Sequence, residues 1–426
     1  MLLSEKLLQY IWRFGLYNAR SLETLTGETL EVISPGIFNA NSGPDFLHAR
    51  IRIGDTVLAG NIEVHVQSSG WFRHHHDRDK QYRNVILHVV FENDREAKGE
   101  GRIKIPVLEL KDRIAKLLLH RYGELMRQTR TIPCAGQTGQ VDELTWESWK
   151  DRLLAERWEM KIAVFRNWLK ENNYNWEETF YWAIGRNFGM PVNSAPFEEL
   201  VRSLPLKLLA KHANDPVQTA ALLFGQAGML EYNFREEYPL QLQREYHFLQ
   251  KKYALEPATL YPWQWLRMRP SNFPTIRIAQ FAALISRSPR LFSILAEGGN
   301  LHDLYRLLQV KMDDYWQTHY RFEQVSSPVS KAPGLASIQH IVINTISPML
   351  YLYGRERSMA PFRESAFQFL AQMPAEKNHI IREWKEAGVA VRNARDSQAL
   401  LHLKKNYCDE KRCLECAVGN KILLTS

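Results

Sequence analysis

Residues able to do chemistry crowd into one short stretch. Asn41-Ser-Gly-Pro-Asp-Phe-Leu-His-Ala-Arg-Ile-Arg-Ile-Gly-Asp-Thr-Val-Leu-Ala-Gly-Asn-Ile-Glu-Val-His65 reads as a β-hairpin with its tight turn at Gly54-Asp55. Asp45 opens the first strand. Glu63 and His65, two apart on the second, share a face of the sheet. A two-residue turn leaves Asp45 one position out of register with Glu63, and a one-residue bulge at Gly60 is expected to bring them opposite. Directly opposed Cβ atoms lie about 5 Å apart, close enough for two carboxylates to share one hard divalent cation, Mg²⁺ or Mn²⁺. Such an ion lowers the pKa of bound water and stabilises charge on a phosphoryl oxygen. His65 would orient the nucleophile, accept a proton or complete the coordination. The competing reading is an ordinary sheet with polar residues on one face.

Other candidates follow in the chain. Trp71-Phe-Arg-His-His-His-Asp-Arg-Asp-Lys-Gln-Tyr82 sets three histidines ahead of Asp77 and Asp79. The metallo-hydrolase order His-x-His-x-Asp-His fails here, because Arg78 and Asp79 occupy its last two places. The stretch is therefore either a solvated, short helical connection, or a segment whose His74, His76 or Asp79 reaches the cleft of Asp45 and Glu63. His88 interrupts an apolar strand and is either a core histidine or a further lining residue. Glu5, on the opening helix, is an accessory candidate.

Two more clusters lie far downstream. The chain has four cysteines, Cys134, Cys408, Cys413 and Cys416, the last three in a Cys-x4-Cys-x2-Cys run. Three clustered thiols and one distant one make up a four-thiolate site, which suits Zn²⁺ or an iron–sulfur cluster and is favoured over disulfides in a cytosolic chain. Arg267, Arg269 and Arg277, with Trp263 and Trp265, would form a phosphate-binding and base-stacking surface for DNA or RNA. Alternatively, the tryptophans anchor a core and the arginines cap or pair with helix ends.

The elements that must position these residues divide the chain in two. Residues 1–130 read as a mixed α/β domain: an opening helix with Leu7, Leu8, Ile11 and Trp12 on one stripe, a segment 24–33 broken at Gly27, the hairpin, and a central strand over 84–91. A polar turn over 92–101, a strand over 102–110 and a helix over 112–127 complete it. Residues 131–426 read as a large helical domain carrying the cysteines, with helices over 149–170, 177–188, 196–204, 216–224, 240–253, 275–286, 291–297, 338–353 and 362–370. The expected class is thus α/β plus all-α. Basic residues exceed acidic ones by 19 to 16 in residues 1–130 and by 36 to 31 beyond, a balance that permits an anionic partner without demanding one. Glu5 and Lys6 interrupt what a signal peptide would need as its apolar core, and no apolar run approaches the roughly 18 residues of a membrane span. The expectation is a cytoplasmic protein with no membrane partner.

Pro44-Asp45 followed one strand later by Glu63-Val64-His65 resembles the signature of the PD-(D/E)xK nuclease superfamily, with His65 where that superfamily has lysine. The resemblance implies a restriction-endonuclease-like sheet and a metal-dependent nuclease, with Asp45 and Glu63 as ligands and His65 assisting water. Over its whole length the chain also resembles an uncharacterised bacterial family of unknown function. The residues that carry this likeness are Gly43-Pro-Asp-Phe46, Gly60-Asn-Ile-Glu-Val-His65, the strand 84–90, Arg267-Met-Arg-Pro-Ser-Asn-Phe-Pro274, Ile343-Asn-Thr345 and the terminal cysteine run. Membership implies no activity. Two alternatives stand beside the nuclease reading: a non-catalytic nucleic-acid-binding or scaffold protein with a degenerate acidic sheet, and a small-molecule enzyme working between domains.

Overall fold

A computed structural model describes residues 3–94, 105–258 and 260–425. These form two compact units: residues 1–150 with 379–390 and 401–426, and residues 151–378 with 391–400. The expected division at 130/131 differs from this. The sheet-bearing unit also takes in 131–150 and the C-terminal segments, so all four cysteines belong to it. Aromatic pairs join those segments, Trp146 with Trp384 at 6.0 Å and Trp149 with Tyr407 at 5.3 Å.

The sheet-bearing unit opens with helix α1 (Glu5–Arg13), whose N-cap Ser4 side chain accepts the N–H of Leu7. Leu7, Leu8, Ile11 and Trp12 are fully buried, as their stripe predicts, and each contributes about 2 kcal/mol by leaving water. The strands are β1 (Leu22–Glu23), β2 (Thr29–Ser34), β3 (Ile37–Phe38), β4 (Phe46–Ile53), β5 (Thr56–Gln67), β6 (Val85–Glu92) and β7 (Val107–Glu109). They lie in the order β1-β2-β4-β5-β6-β7, with β3 pairing β4. Residues 102–104 of the expected strand over 102–110, and most of the polar turn before it, lie outside the described residues. The part that is described, β7, runs parallel to β6. Helix α2 (Gly70–Arg73), helix α3 (Lys116–Arg127) and the start of helix α4 (Glu143–Glu171) complete this part of the chain.

The hairpin turn falls where expected: Ile53 pairs with Thr56, and Gly54 takes a left-handed φ of +54°. The bulge does not fall at Gly60. Ala49 pairs with Gly60 and Phe46 with Ile62, so the extra residue is on β4, beside His48, whose φ is +58°. An extra residue on β4 is what shifts the register towards Asp45 opposite Glu63. Gly60 serves another end: a Cβ there would lie 2.6 Å from the carbonyl oxygen of Asn84 and 2.5 Å from Cγ2 of Ile86. Gly60→Ala is therefore expected to destabilise the protein by about 3 kcal/mol, readable as a lowered denaturant midpoint. An unchanged midpoint would show that the strand junction yields.

Strands β5 and β6 are parallel, with Glu63 beside His88 and His65 beside Val90. A parallel pair cannot be joined by a tight turn; the chain must travel back along the sheet. That return, through α2 and a 3₁₀ turn at Lys80–Asn84, carries the histidine run over Glu63 and His65.

The second unit is helical. Its main helices are the rest of α4, Trp176–Phe188, Met190–Ser203, Leu206–His212, Pro216–Gln226, Glu237–Tyr253, Pro274–Arg287, Leu291–Ala296, Leu301–Leu308, a run from Leu335 to Glu356 with a π-turn at Val342–Ile346, and Ala360–Gln372. Each helix expected for residues 149–370 has a counterpart; Leu206–His212 and Leu301–Leu308 are additional. Trp158, Phe180, Phe197, Phe224 and Phe281 are buried in its core. Leu335–Glu356 alone among the described residues has the length and composition to cross a membrane, and 61% of its apolar window is buried as a core helix.

Candidate metal centre

Asp45 stands one residue before β4 and Glu63 on β5, and each carboxylate is held by the other's strand. Glu63 Oε2 accepts the N–H of Asp45 at 3.1 Å, and Asp45 Oδ2 accepts the N–H of Val64 at 3.0 Å. Asp45 Oδ1 accepts a further bond from Gln9 Nε2 at 2.8 Å. Gln9 is not among the sequence candidates, although it lies one helical turn after Glu5 on the same face of α1. Glu5 is close enough for its charge to act on both carboxyls.

The histidines complete the site. Nε2 of His65 lies 3.6 Å from Glu63 Oε1, and Nε2 of His76 lies 3.2 Å from the same oxygen. His65 Nδ1 meets His88 Nε2 at 2.8 Å, and His65 Nε2 meets His74 Nδ1 at 3.2 Å. Among the described residues, His65, His74 and His76 are the one group of three such donors whose ligand atoms all lie within 4.8 Å of one another. Tyr82 stacks on His76 at 3.8 Å, and Trp71 packs against His76 and His88. Glu63 is 5% and His65 1% exposed, whereas His74 is exposed and Asp45 half-buried, so solvent meets the cluster from one side.

Gly70 makes the crossover fit. A Cβ there would lie 2.8 Å from Cδ2 of His65. Gly70→Ala should turn the imidazole away and weaken divalent-ion binding by roughly 10–100-fold. Calorimetric titration with Mn²⁺ reads this, and unaltered affinity would remove His65 from the donor set.

The electrostatics favour a cation. Burial pushes the Glu63 carboxyl up to about 9, with the neighbouring Asp45 charge adding to it. Burial likewise pushes Asp45 up to about 6, against the hydrogen bonds from Gln9 and Val64. Among the described residues, neither carboxylate pairs with a lysine or arginine. Burial holds His65 down to about 2 and His88 to about 4, in both cases with help from neighbouring imidazoles. These rings are therefore neutral and keep lone pairs for a metal. Two acid side chains without a lysine or arginine partner, beside the neutral imidazoles of His65 and His88, are a donor set that a divalent ion would satisfy.

Other sequence candidates fall elsewhere. Asp79 is exposed and its carboxylate accepts the N–H of Gln81, capping the 3₁₀ turn, while its charge acts on His76 and Tyr82. His88 meets the site through His65 rather than as one of the close triplet. Arg277 is not a phosphate contact. It is 3% exposed, and its guanidinium donates to Gln280, Asn272 and Ser337, because its place in Pro274–Arg287 faces the core. Arg267 and Arg269 are exposed. Trp263 donates its indole N–H to Ala227, and Trp265 lies under Arg321, so both tryptophans serve packing. The four cysteines form no disulfide, and their sulfurs are near enough for mutual charge effects, Cys408 interacting with the other three.

A family model matches residues 5–379 of the chain. No curated protein matches it, and neither does any solved structure.

Proposed function

The chain belongs to the family described as "Protein of unknown function (DUF2851)", and we propose, from the acid–imidazole cluster itself, that it is a metal-dependent phosphodiesterase acting on nucleic acid. The observation that carries this reading is the pair Asp45 and Glu63, locked through each other's strands beside three imidazoles, with no lysine or arginine among the described residues to neutralise them. The order Pro44-Asp45, then Glu63-Val64-His65 on the adjacent strand, resembles the PD-(D/E)xK nucleases and supports the same chemistry.

Asp45 and Glu63 would hold the ion, with His65 and His76 supplying nitrogen donors. Carboxylates with imidazoles favour Mn²⁺ over Mg²⁺, which prefers oxygen ligands alone. A divalent ion held there supplies Lewis acidity to a water and to a phosphoryl oxygen. Gln9 fixes the rotation of the Asp45 carboxylate, and Tyr82 fixes the plane of His76. A histidine in the superfamily's lysine position cannot serve as a cation here, since burial keeps His65 neutral; its role is that of a donor. Arg73, Arg78, Lys80 and Arg83 are exposed along the crossover that carries His74 and His76, with Asp77 and Asp79 among them, so the segment keeps an excess of positive charge suited to a phosphate backbone.

The test is cleavage of single- and double-stranded DNA and RNA and of a simple phosphodiester by the full chain, with Mn²⁺, Mg²⁺ or chelator present. Cleavage with Mn²⁺ exceeding that with Mg²⁺ is expected. Absence of cleavage with every divalent ion, in protein shown to bind Mn²⁺, would sink the catalytic reading.

A further inference from the structure

The acid–imidazole cluster leaves unused the four cysteines of the same unit. Cys134 lies between α3 and α4. Cys408 ends a π-turn at Lys404–Cys408, and Cys413 and Cys416 lie just before the terminal helix Ala417–Leu424. Cys134 lies far from the other three in sequence, yet Cys134, Cys408 and Cys413 each feel the charge of at least one of the other cysteines.

Burial pushes all four thiols up, and donors gathered around the sulfurs act against it. The backbone N–H groups of Val418 and Gly419 and the indole N–H of Trp149 all favour negative charge on Cys416 Sγ, more donors than a neutral thiol needs. Lys404 acts on Cys408 and Lys411 on Cys413 in the same sense. The knuckle between Cys413 and Cys416 closes over a glycine: a Cβ on Gly419 would lie 2.2 Å from the carbonyl oxygen of Cys413. Cys134 and Cys416 are both buried.

We propose that Cys134, Cys408, Cys413 and Cys416 ligate an iron–sulfur cluster that staples the 131–150 segment to the C-terminal tail of the sheet-bearing unit. Spacing decides against a single zinc ion. Tetrahedral zinc at its usual Zn–S distance draws its sulfurs to about 3.8 Å from one another. Among the described residues only the histidine triplet has three donors all within 4.8 Å, so in any three of these sulfurs at least one pair stands farther apart than a single zinc ion holds them. A polynuclear core fills that wider gap. The Cys-x4-Cys-x2-Cys run with one remote partner provides the four thiolates it needs.

The full chain, purified without oxygen, is to be analysed for iron, acid-labile sulfide and zinc, with its visible absorption recorded. The expected result is brown protein holding iron and sulfide in equal amounts. Cys134→Ser and Cys416→Ser should each lose both, while Glu63→Ala keeps them. Zinc bound one per chain without sulfide would overturn the cluster, as would protein devoid of metal that also fails to take up iron and sulfide on anaerobic reconstitution. Iron and sulfide retained in both cysteine variants would overturn the ligand assignment. Should those variants fail to fold, the wild-type metal and sulfide content decides the matter alone, and it does so whether or not the chain cleaves phosphodiesters.

Discussion

Glu63→Ala is expected to lower Mn²⁺-dependent phosphodiester cleavage by roughly 1,000-fold or more and to weaken Mn²⁺ binding in the same protein. The size follows from the position of Glu63. One of its oxygens faces Nε2 of both His65 and His76, and the other accepts the N–H of Asp45. Losing this carboxylate removes a ligand and also releases the backbone bond that sets Asp45. The fold should survive, because the buried carboxyl has no counter-charge to lose and its removal relieves a desolvated acid. Glu63→Gln separates the two effects: the amide keeps an acceptor for the Asp45 N–H but carries no charge for the ion, so cleavage should fall nearly as far while the hairpin register is kept. Activity within about tenfold of wild type in both variants, with native circular dichroism, would remove Glu63 from the site.

The stability difference between metal-free wild type and Glu63→Gln should shift against the wild type as pH rises from 6.5 to 9, and Mn²⁺ should abolish that shift. The Glu63 carboxyl, ordinarily near 4.5, sits at about 9 in the fold. A raised carboxyl pKa gives stability that is complete below the unfolded value and is lost as pH climbs through the folded one. One such group tilts stability by at most about 1.4 kcal/mol per pH unit. His65 and His88 act in the opposite sense. Their folded values, about 2 and about 4, lie below the ordinary 6.5, so their contribution is present above 6.5 and is lost as pH falls below it. Above 6.5 the histidines are therefore silent, but burial holds Lys161 down to about 7 from an ordinary 10.5, which adds stability as pH rises over the same interval, so the Glu63 contribution is isolated by comparison with Glu63→Gln. Thermal midpoints of chelator-treated wild type and Glu63→Gln across that interval read it, the wild type losing ground to the variant as pH rises. A difference that does not change with pH would mean that water or another group already compensates the buried acid.

Much of this site is legible in the order of residues alone. Helix α1, the Gly54-Asp55 turn, the apolar β6 and most helices of the second unit follow from caps, turn residues and the periods of 2 and 3.6, which are local properties. So does the choice of Asp45, Glu63 and His65, since two residues on one strand share a face whatever surrounds them. The meeting of Asp45 with Glu63 is expected from the hairpin, but its cause differs from the expected one: the bulge sits beside His48, and Gly60 is required by the backbone at Asn84.

What the residues could not disclose depends on packing between segments far apart in the chain. The parallel pairing of β5 with β6 turns a polar connection into the roof of the site, bringing His74, His76 and Tyr82 onto Glu63 while Asp79 becomes a cap. Arg277 looks like a phosphate ligand by its neighbours in sequence, yet its place on its helix turns it inward to three polar partners. The cysteines suggest a common site by number and spacing, but only the tertiary structure places all four residues in the sheet-bearing unit. Local patterns specify which face a side chain takes; which distant face it then meets is a matter of register and buried contact, and there the fold alone decides.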